Sequence, residues 1–402
     1  MIVRFPVKCN TCDTKYTLRI QMGHDSEQIH EISCPTCQEE FSVALDVDFE
    51  KITHRVRCIE NCEPSDAEGM IINLDPYTPI PDQYKHADML FPWLQYAIKD
   101  LDLHEVATRI EPLGRIKDGP FIIDINHAIG GQHKILDDWS SLKKGWSLSL
   151  KGNNKLSKKF LSEYKNLDQD EYPSLENVLF KFSMYLISPG KRHLFDNAAK
   201  FFSNIHRSNP TEVNKFKTYY SNNIKENHFD SYLDIYSQYF RSYHEYSQTL
   251  LYVKNNKDVP LTSNLASSSF KNTKLFYGNA FEVLTSGFTV LACLNNIHMG
   301  REFDKFDNMT LSKYITINKA NRANPFSNTP DLYAFSECIN STLRNASHHG
   351  AMKYDSKRNI IKYRSGGTGA EHEISYAQYI TACNEIMLSI AALVCLEILM
   401  MV

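Results

Sequence analysis

The chain has 402 residues, of which 42% are hydrophobic and 23% are charged, and its formal net charge is −3 at pH 7. This length is sufficient for two or three domains with a large core, and the hydrophobic fraction excludes an intrinsically disordered chain. The slightly negative balance excludes a protein that binds nucleic acid through an overall excess of basic residues.

The start of the chain and its cysteine usage predict a cytoplasmic protein. The first six residues, Met1-Ile-Val-Arg-Phe-Pro, contain no apolar stretch suited to a signal peptide. Ten cysteines in a chain of this length are not typical of a secreted disulfide scaffold. Four of these cysteines lie among apolar helical residues and are interpreted as core thiols: Cys293, Cys338, Cys383 and Cys395.

Four other cysteines near the start of the chain have the spacing of metal ligands. Cys9 and Cys12 form one C-x2-C pair, Cys34 and Cys37 form a second, and 21 residues separate the pairs. Each pair places two thiolates on a tight turn, and the intervening hairpin brings the pairs together. The pattern resembles a zinc ribbon and predicts a structural Zn²⁺ ion with no position left for a catalytic water. Whether the ribbon contacts protein, contacts nucleic acid or only stabilises the chain stays open.

The remainder of residues 1–85 is predicted to be short β structure. Alternating apolar residues at 15–20 and 41–45 are typical of strands, and residues 52–84 indicate a short β element followed by a loop. Cys58 and Cys62 have no second pair to complete a tetrahedron, so we interpret them as structural.

Residues 86–255 are predicted to form a helical middle region. Helical patterns occur at 90–98 and 175–186, and an aromatic stripe at helical spacing covers 232–246, which is typical of a core or a partner surface. Residues 121–126 predict a strand, and residues 142–165 predict a mobile basic loop. The region contains no recognisable catalytic set, and its role as a sensor, a regulatory region or a dimerisation arm stays open.

Residues 270–402 are predicted to form a helical C-terminal domain that follows a polar, Ser-rich boundary at 255–269. A long helix is expected at about 273–299, and another is expected to begin at Pro330. This second helix is expected to carry a polar strip with a residue at every fourth position: Glu337, Ser341, Asn345 and His349.

A small hairpin and a long final helix are predicted after this strip. The hairpin is expected between Met352 and Tyr363, and residues 365–369 are interpreted as a connector. Ser375 and Gln378 form a capping box for the last helix. The apolar run at 386–402 is expected to be a buried helix in preference to a tail anchor.

Arg344, Asn345 and His349 form the strongest functional signal in the sequence. On a helix, Asn345 and His349 would share one face, and Arg344 is long enough to reach the same position. Gly350 suits the position that ends a helix. A guanidinium binds phosphate oxygens and a histidine exchanges protons near neutral pH, so these residues predict phosphodiester chemistry. The alternative is a helix end whose Arg and His pair with carbonyl or carboxylate groups.

This pattern resembles the signature of the HEPN ribonucleases, in which an arginine and a polar residue are followed, within a turn or two, by a histidine. Arg344, Asn345 and His349 match that signature. The resemblance covers about the last third of the chain. It implies a C-terminal HEPN-like helical bundle. Together with the patterns above, the expected fold is mainly α, with a small N-terminal β zinc ribbon, a helical middle region and this C-terminal bundle. The resemblance also implies a homodimer whose two protomers form a composite site.

The resemblance further implies a function: an endoribonuclease that acts as a toxin-like antiviral effector in abortive infection. The 2′-hydroxyl of RNA would be the nucleophile, so catalysis would need no metal. Arg344 would bind the scissile phosphate, His349 would act as general acid or base, and Asn345 would orient the histidine or the substrate. His348 is a rival for the histidine role. RNA and a second copy of the chain are the implied partners, with a phage protein or another trigger and with no membrane.

Basic residues that follow the motif are candidates for substrate binding. Between Arg344 and Arg364, six Lys and Arg residues face one acid, Asp355, and this local excess suits a polyanion. We therefore assign substrate contacts to His348, Lys353 and Arg358. The alternative is a solvated hairpin rich in Lys and Arg.

A different class of function also fits the sequence. In this alternative, the chain is a non-catalytic scaffold that binds nucleic acid or protein, with the zinc ribbon as its recognition module and the helical domain as its dimerisation element.

Overall fold

The structure is a computed structural model, and its described residues are 2–23, 25–76, 80–87, 125–164, 173–259, 263–265, 270–355, 358–365 and 369–401. The fold is mainly α, with strands concentrated near the N-terminus, as the sequence predicted. The chain divides into two compact units, each assembled from three separate segments. The first unit comprises Met1–Gly130, Ser242–Lys274 and His349–Asn384, and the second comprises Gly131–Arg241, Leu275–His348 and Glu385–Val402.

Two small sheets form the N-terminal part of the first unit. Their strands are β1 (Ile2–Cys9), β2 (Lys15–Gln21), β3 (Glu27–Ser33), β4 (Glu40–Asp48), β5 (Thr53–Glu60), β6 (Cys62–Pro64) and β7 (Met70–Leu74). One sheet has the order β6-β1-β2-β7 and the other has the order β3-β4-β5. Strand β7 pairs with β2 in parallel, and the other neighbours in these sheets are antiparallel.

Strand β3 has one solvated face, whereas β2 and β4 bury both faces along most of their length. Strand β3 alternates strictly between exposed and buried residues along most of its length, as expected for a strand with one solvated face. Leu18 and Ile20 of β2 and Val43 and Leu45 of β4 are completely buried and belong to one apolar cluster. The strands predicted at 15–20 and 41–45 are therefore confirmed.

The rest of the first unit consists of helices and a third small sheet. The elements are β8 (Ile80–Pro81), α1 (Asp82–Lys85), α8 (Tyr243–Lys254), β9 (Ser263–Asn264), α9 (Phe270–Thr273), β10 (Met352–Asp355), β11 (Ile360–Arg364) and β12 (Glu371–Ser375). The predicted hairpin is confirmed as β10 and β11, and β12 extends it to three strands.

The second unit contains most of the described helices, and we call it the helical unit. They are α2 (Ile125–Leu150), which begins in the first unit, α3 (Asn154–Leu161), α4 (Leu175–Ile187), α5 (Arg192–Ser208), α6 (Pro210–Asn223), α7 (Lys225–Arg241), α10 (Phe276–His298), α11 (Leu311–Tyr314), α12 (Pro330–Tyr333) and α13 (Ser341–His348). The final helix, α14 (Tyr376–Met401), contributes residues to both units.

Helix boundaries in the second unit follow local capping signals. Ser174 accepts a hydrogen bond from the Asn177 NH at the start of α4, and Asn209 caps α6, which has Pro210 in its first turn. Both are favoured N-terminal residues. At α14, the predicted capping box is confirmed, because Ser375 and Gln378 exchange side-chain to backbone hydrogen bonds of 3.1 Å in both directions.

Aromatic side chains fill the core of the helical unit. Trp139 stacks on Phe240 with 4.9 Å between ring centroids, and Trp146 meets Tyr236 edge-on. Tyr232, Tyr236 and Tyr239 of this unit are buried, and so are Tyr243 and Tyr246, which belong to the first unit. The predicted aromatic stripe is therefore core. It is divided between α7 and α8, which are separated at Ser242.

Two sequence predictions for the middle region do not match the structure. The mobile loop predicted at 142–165 is wrong, because α2 runs to Leu150 and α3 covers Asn154–Leu161. Asn153 caps α3, so asparagine in this segment starts a helix where composition suggested a loop. The predicted helix at 90–98 and most of the predicted strand at 121–126 lie outside the described residues, and α2 begins at Ile125.

Helices α10 and α14 are long and apolar enough to cross a membrane by length and composition. In the structure, 83% and 89% of their most apolar windows are buried. This burial agrees with the expected buried helix at 386–402.

A buried carboxylate lies near the end of α14. Glu397 has no exposed surface. Its oxygens accept hydrogen bonds of 2.8 Å from the hydroxyls of Tyr220 and Tyr232, and one lies 3.0 Å from His228 Nδ1. Three partners from α6 and α7 therefore compensate for the loss of water around this charge.

We expect Glu397→Ala to lower the free energy of unfolding of the helical unit by about 3 kcal/mol, because two tyrosine hydroxyls and a histidine lose their shared partner. Urea denaturation followed by far-UV circular dichroism measures the change. Asp196→Ala is the control, since its pair with Arg192 lies on the surface and contributes less than about 1 kcal/mol. Equal losses in the two variants would contradict the assignment.

Candidate functional site

The two C-x2-C pairs occupy equivalent turns in the N-terminal sheets. In the first turn, the Asp13 NH donates to the Cys9 carbonyl over 2.9 Å, and in the second, the Gln38 NH donates to the Cys34 carbonyl over 2.8 Å. The residue after each pair has a positive φ, 58° at Asp13 and 66° at Gln38. Such left-handed residues close the turn and leave both thiols of a pair on the same side.

The four thiols converge on one point. Cys9 Sγ lies 3.8 Å from Cys37 Sγ, and Cys12 Sγ lies 3.6 Å from Cys34 Sγ. All four sulfurs lie within 4.8 Å of one another. Zinc–thiolate bonds of about 2.3 Å in a tetrahedron place the sulfurs about 3.8 Å apart. The predicted ligand set is therefore confirmed as a cluster that could hold a metal ion, and its donor set suits a tetrahedral thiolate-binding ion.

Hydrogen bonds prepare Cys34 to act as a thiolate ligand. Burial opposes ionisation of this thiol, but hydrogen bonds from the Cys37 NH and the Tyr16 hydroxyl outweigh burial and lower the pKa of Cys34 to about 6. Tyr16 lies 3.1 Å from Cys34 Sγ and 2.8 Å from Thr36 Oγ1. Sequence reasoning missed Tyr16, which the β1–β2 register pairs with Val7.

Cys58 and Cys62 are not part of the described metal cluster. Cys62 lies opposite Cys9 in the β1–β6 pairing, and its thiol donates to the Ser42 carbonyl over 3.3 Å. This placement agrees with the structural role predicted for the pair.

We expect Cys34→Ser to abolish stoichiometric metal binding, since one of four thiolates is lost. Wild-type protein loaded with Zn²⁺ should lose metal to a chelator more readily as the pH is lowered, because protons compete for the thiolates. Metal content by elemental analysis is the measurement. Cys58→Ser is the control and should retain one ion per chain; metal retention by Cys34→Ser would exclude this cluster as the site.

The motif helix, α13, is shorter than the sequence predicted. A continuous helix from Pro330 is wrong: α12 ends at Tyr333, and a 3-10 turn covers Ala334–Ser336 before α13 begins at Ser341. Asn340 Oδ1 accepts a hydrogen bond from the Leu343 NH, so an asparagine cap starts a new helix and separates it from the preceding segment.

The residue that ends α13 is as predicted, whereas the predicted polar strip is not. Helix α13 ends at His348, and Gly350 follows with φ +67°, which confirms glycine as the residue that ends the helix. The predicted polar strip does not lie on one continuous helix, because Glu337 precedes α13. Ser341 and Asn345 lie within α13, and His349 is the first residue after it.

Arg344 is held by a residue that sequence reasoning missed. Its Nε donates to Glu282 Oε1 over 2.7 Å, its Nη2 contacts the same oxygen, and its Nη1 donates to Asn345 Oδ1 over 2.7 Å. The carboxylate partner of Arg344 is therefore Glu282 on α10. The sequence contains a signal that could have identified Glu282, because it is the single carboxylate in the apolar sequence of α10.

The two histidines differ in their surroundings. A Cβ atom added at Gly278 of α10 would lie 2.9 Å from His348 Nε2, so the His348 imidazole lies directly against α10. His348 is four residues after Arg344 and therefore on the same side of α13. Both histidines are exposed, and His349 lies beyond the helix end. The boundary between the two units falls between them.

Acids on β12 pair with the basic residues of the hairpin. Arg358 lies 3.2 Å from Glu373, and Arg364 lies 2.8 Å from Glu371. Both glutamates follow Arg364 in the chain and therefore lie outside the basic segment between Arg344 and Arg364. Lys353 is exposed on β10, and the hairpin carries a smaller positive excess than its sequence suggested.

Compared with protein-family models, curated proteins and solved structures, this chain has no match.

Proposed function

We propose that this chain is an endoribonuclease that needs no metal for catalysis and uses Arg344, Asn345 and His349 in a HEPN-like site. The observation that carries the proposal is the arrangement of Arg344, whose guanidinium is oriented by Glu282 and Asn345 while its side chain stays 30% exposed. An oriented, accessible guanidinium is suited to stabilising charge that develops on a phosphate.

The proposed reaction is transesterification followed by release of the leaving strand. A histidine removes the proton from the ribose 2′-hydroxyl, and the oxygen attacks the adjacent phosphorus. The bond to the 5′-oxygen breaks, and that oxygen takes a proton from a general acid. The products are a 2′,3′-cyclic phosphate, which hydrolyses to a 3′-phosphate, and a 5′-hydroxyl. Arg344 neutralises the pentavalent transition state.

The remaining parts of the proposal follow the HEPN resemblance. We infer a HEPN-like helical bundle, a homodimer in which each protomer contributes one motif, and His349 as the acid or base with His348 as its rival. The four-cysteine cluster would hold a structural Zn²⁺ ion. A cytoplasmic antiviral role in abortive infection, triggered by a phage protein or another signal, completes the proposal.

A second candidate function is a non-catalytic scaffold that binds nucleic acid or protein. The observation in its favour is that Arg344 already has a carboxylate partner in Glu282. In this alternative, the ion pair would fix α13 on α10, and the histidines would have no chemical role.

Incubating the purified full-length chain with total RNA in excess EDTA separates the two candidates. We expect cleavage that leaves 5′-hydroxyl and 2′,3′-cyclic phosphate ends. Arg344→Ala should reduce the rate by about 100-fold or more, and His349→Ala by a similar factor. A separate His348→Ala variant shows which of the two histidines acts in the reaction.

The matched control is Arg192→Ala, which removes an exposed arginine that has an acidic partner on the surface, and it should cleave at the wild-type rate. Thermal melting verifies that each variant is folded. Unchanged cleavage by both Arg344→Ala and His349→Ala would overturn the proposed roles, and absence of cleavage by the wild-type dimer would favour the scaffold.

A further inference from the structure

Glu282 is shared between two basic side chains. Arg344 occupies one carboxylate oxygen, and Lys319 Nζ lies 2.7 Å from the other. The Lys319 ammonium also donates to Ser286 Oγ and to the Glu282 carbonyl, each over 3.0 Å. Lys319 belongs to the 3-10 turn Lys319–Asn321, so two separate segments place their charges on one residue of α10.

A third cation, Arg322, contacts the same helix. Arg322 is 7% exposed, and it donates to the Thr285 carbonyl of α10 and to the Ile315 carbonyl. Its buried Nε has no hydrogen-bond partner among the described residues. Arginine stays protonated even when buried, so Arg322 adds a third positive charge against α10, beside the two that pair with Glu282.

These contacts follow one face of α10. Gly278, Glu282, Thr285 and Ser286 are spaced by three or four positions and therefore lie on the same side of the helix. We call the permanently charged side chains that contact this face the cationic strip: Arg344, Lys319 and Arg322. The His348 imidazole lies beside them, at Gly278. The face covers about 12 Å from Gly278 to Ser286 at a rise of about 1.5 Å per residue. On each strand of duplex DNA, phosphates recur about every 3.4 Å of helix axis, so a face of about 12 Å is long enough for contacts to more than one phosphate.

Within the described part of the helical unit, the cations of the strip outnumber the one carboxylate, Glu282, that pairs with them. Partial burial opposes ionisation of Glu282, but hydrogen bonds from Lys319 and Arg344 outweigh it and hold its pKa below the usual value. The ionised carboxylate offsets one of the three permanent cations. Lys319 and Arg344 are 28% and 30% exposed, so the remaining positive charge is accessible to an anion.

We propose that Lys319 binds the RNA phosphate next to the one held by Arg344, and that Glu282 sets the spacing between these two cations. This inference rests on the proposed ribonuclease function, and it adds a substrate-binding residue that the RNA-cleaving motif does not contain. Glu282 competes with the phosphates for both cations, so its charge limits RNA affinity while it positions Arg344.

An ion-pair network that only fixes the 3-10 turn on α10 would leave RNA binding unchanged when Lys319 is replaced. The test therefore measures binding separately from cleavage. The probe is a fluorescent 2′-O-methyl oligoribonucleotide, which lacks the nucleophilic hydroxyl and cannot be cleaved by this mechanism. Anisotropy titrations with the full-length chain at several salt concentrations give the affinity and its salt dependence.

Lys319→Gln removes the charge but can still hydrogen-bond Ser286. We expect a loss of about five- to tenfold in affinity and a salt slope that is smaller by about 0.7, the change for one phosphate contact on a single strand. Lys319→Arg should restore binding. Glu282→Gln should bind the probe more tightly than wild type while cleaving natural RNA more slowly, because Arg344 loses its positioning partner.

Lys313→Gln is the control, since this exposed lysine of α11 lies outside the strip, and it should bind as wild type does. Unchanged affinity and salt slope in folded Lys319→Gln would overturn the inference, even if the wild-type chain cleaves RNA. If the wild type binds the probe in a Lys319-dependent way but cleaves nothing, the phosphate-binding role stands and the catalytic proposal fails.

Discussion

Glu282 is the residue on which the geometry of the C-terminal site depends. Helix α10 is otherwise apolar or weakly polar and mostly buried, and a charge in such a helix requires partners. Arg344 and Lys319 provide them from segments 62 and 37 positions away in the chain. The orientation of the motif arginine is therefore set by a distant carboxylate, together with its neighbour Asn345.

The two candidate sites are built by different physical means. The metal cluster depends on two tight turns, each closed by backbone hydrogen bonds and a left-handed residue, so most of its geometry is local. The C-terminal site depends on side chains from three segments that meet on one helix face. Variants at the first site should act through metal affinity, whereas variants at the second should act through charge and orientation.

Local patterns were therefore predicted well. Each C-x2-C turn, the Ser375–Gln378 capping box and the terminating Gly350 involve residues within a few positions of one another, and the structure confirms each of them. Amino-acid composition predicted secondary structure less well than these local patterns did. The Lys-, Gly- and Asn-rich segment at 142–165 is largely helical, because Asn153 acts as a helix cap and buried residues such as Trp146 pack the helix on the core.

From its residues alone, the chain determined a four-thiolate cluster, a mainly helical fold and an Arg-Asn-His string at a helix end, since each depends on short-range spacing or on average hydrophobicity. Only the tertiary structure decided that α13 is separate from α12, that Arg344 pairs with Glu282, and that Lys319 and Arg322 approach the same helix face. The physical reason is that ion pairs form between groups close in space, and the packing of α10 and α13 determines which charges meet.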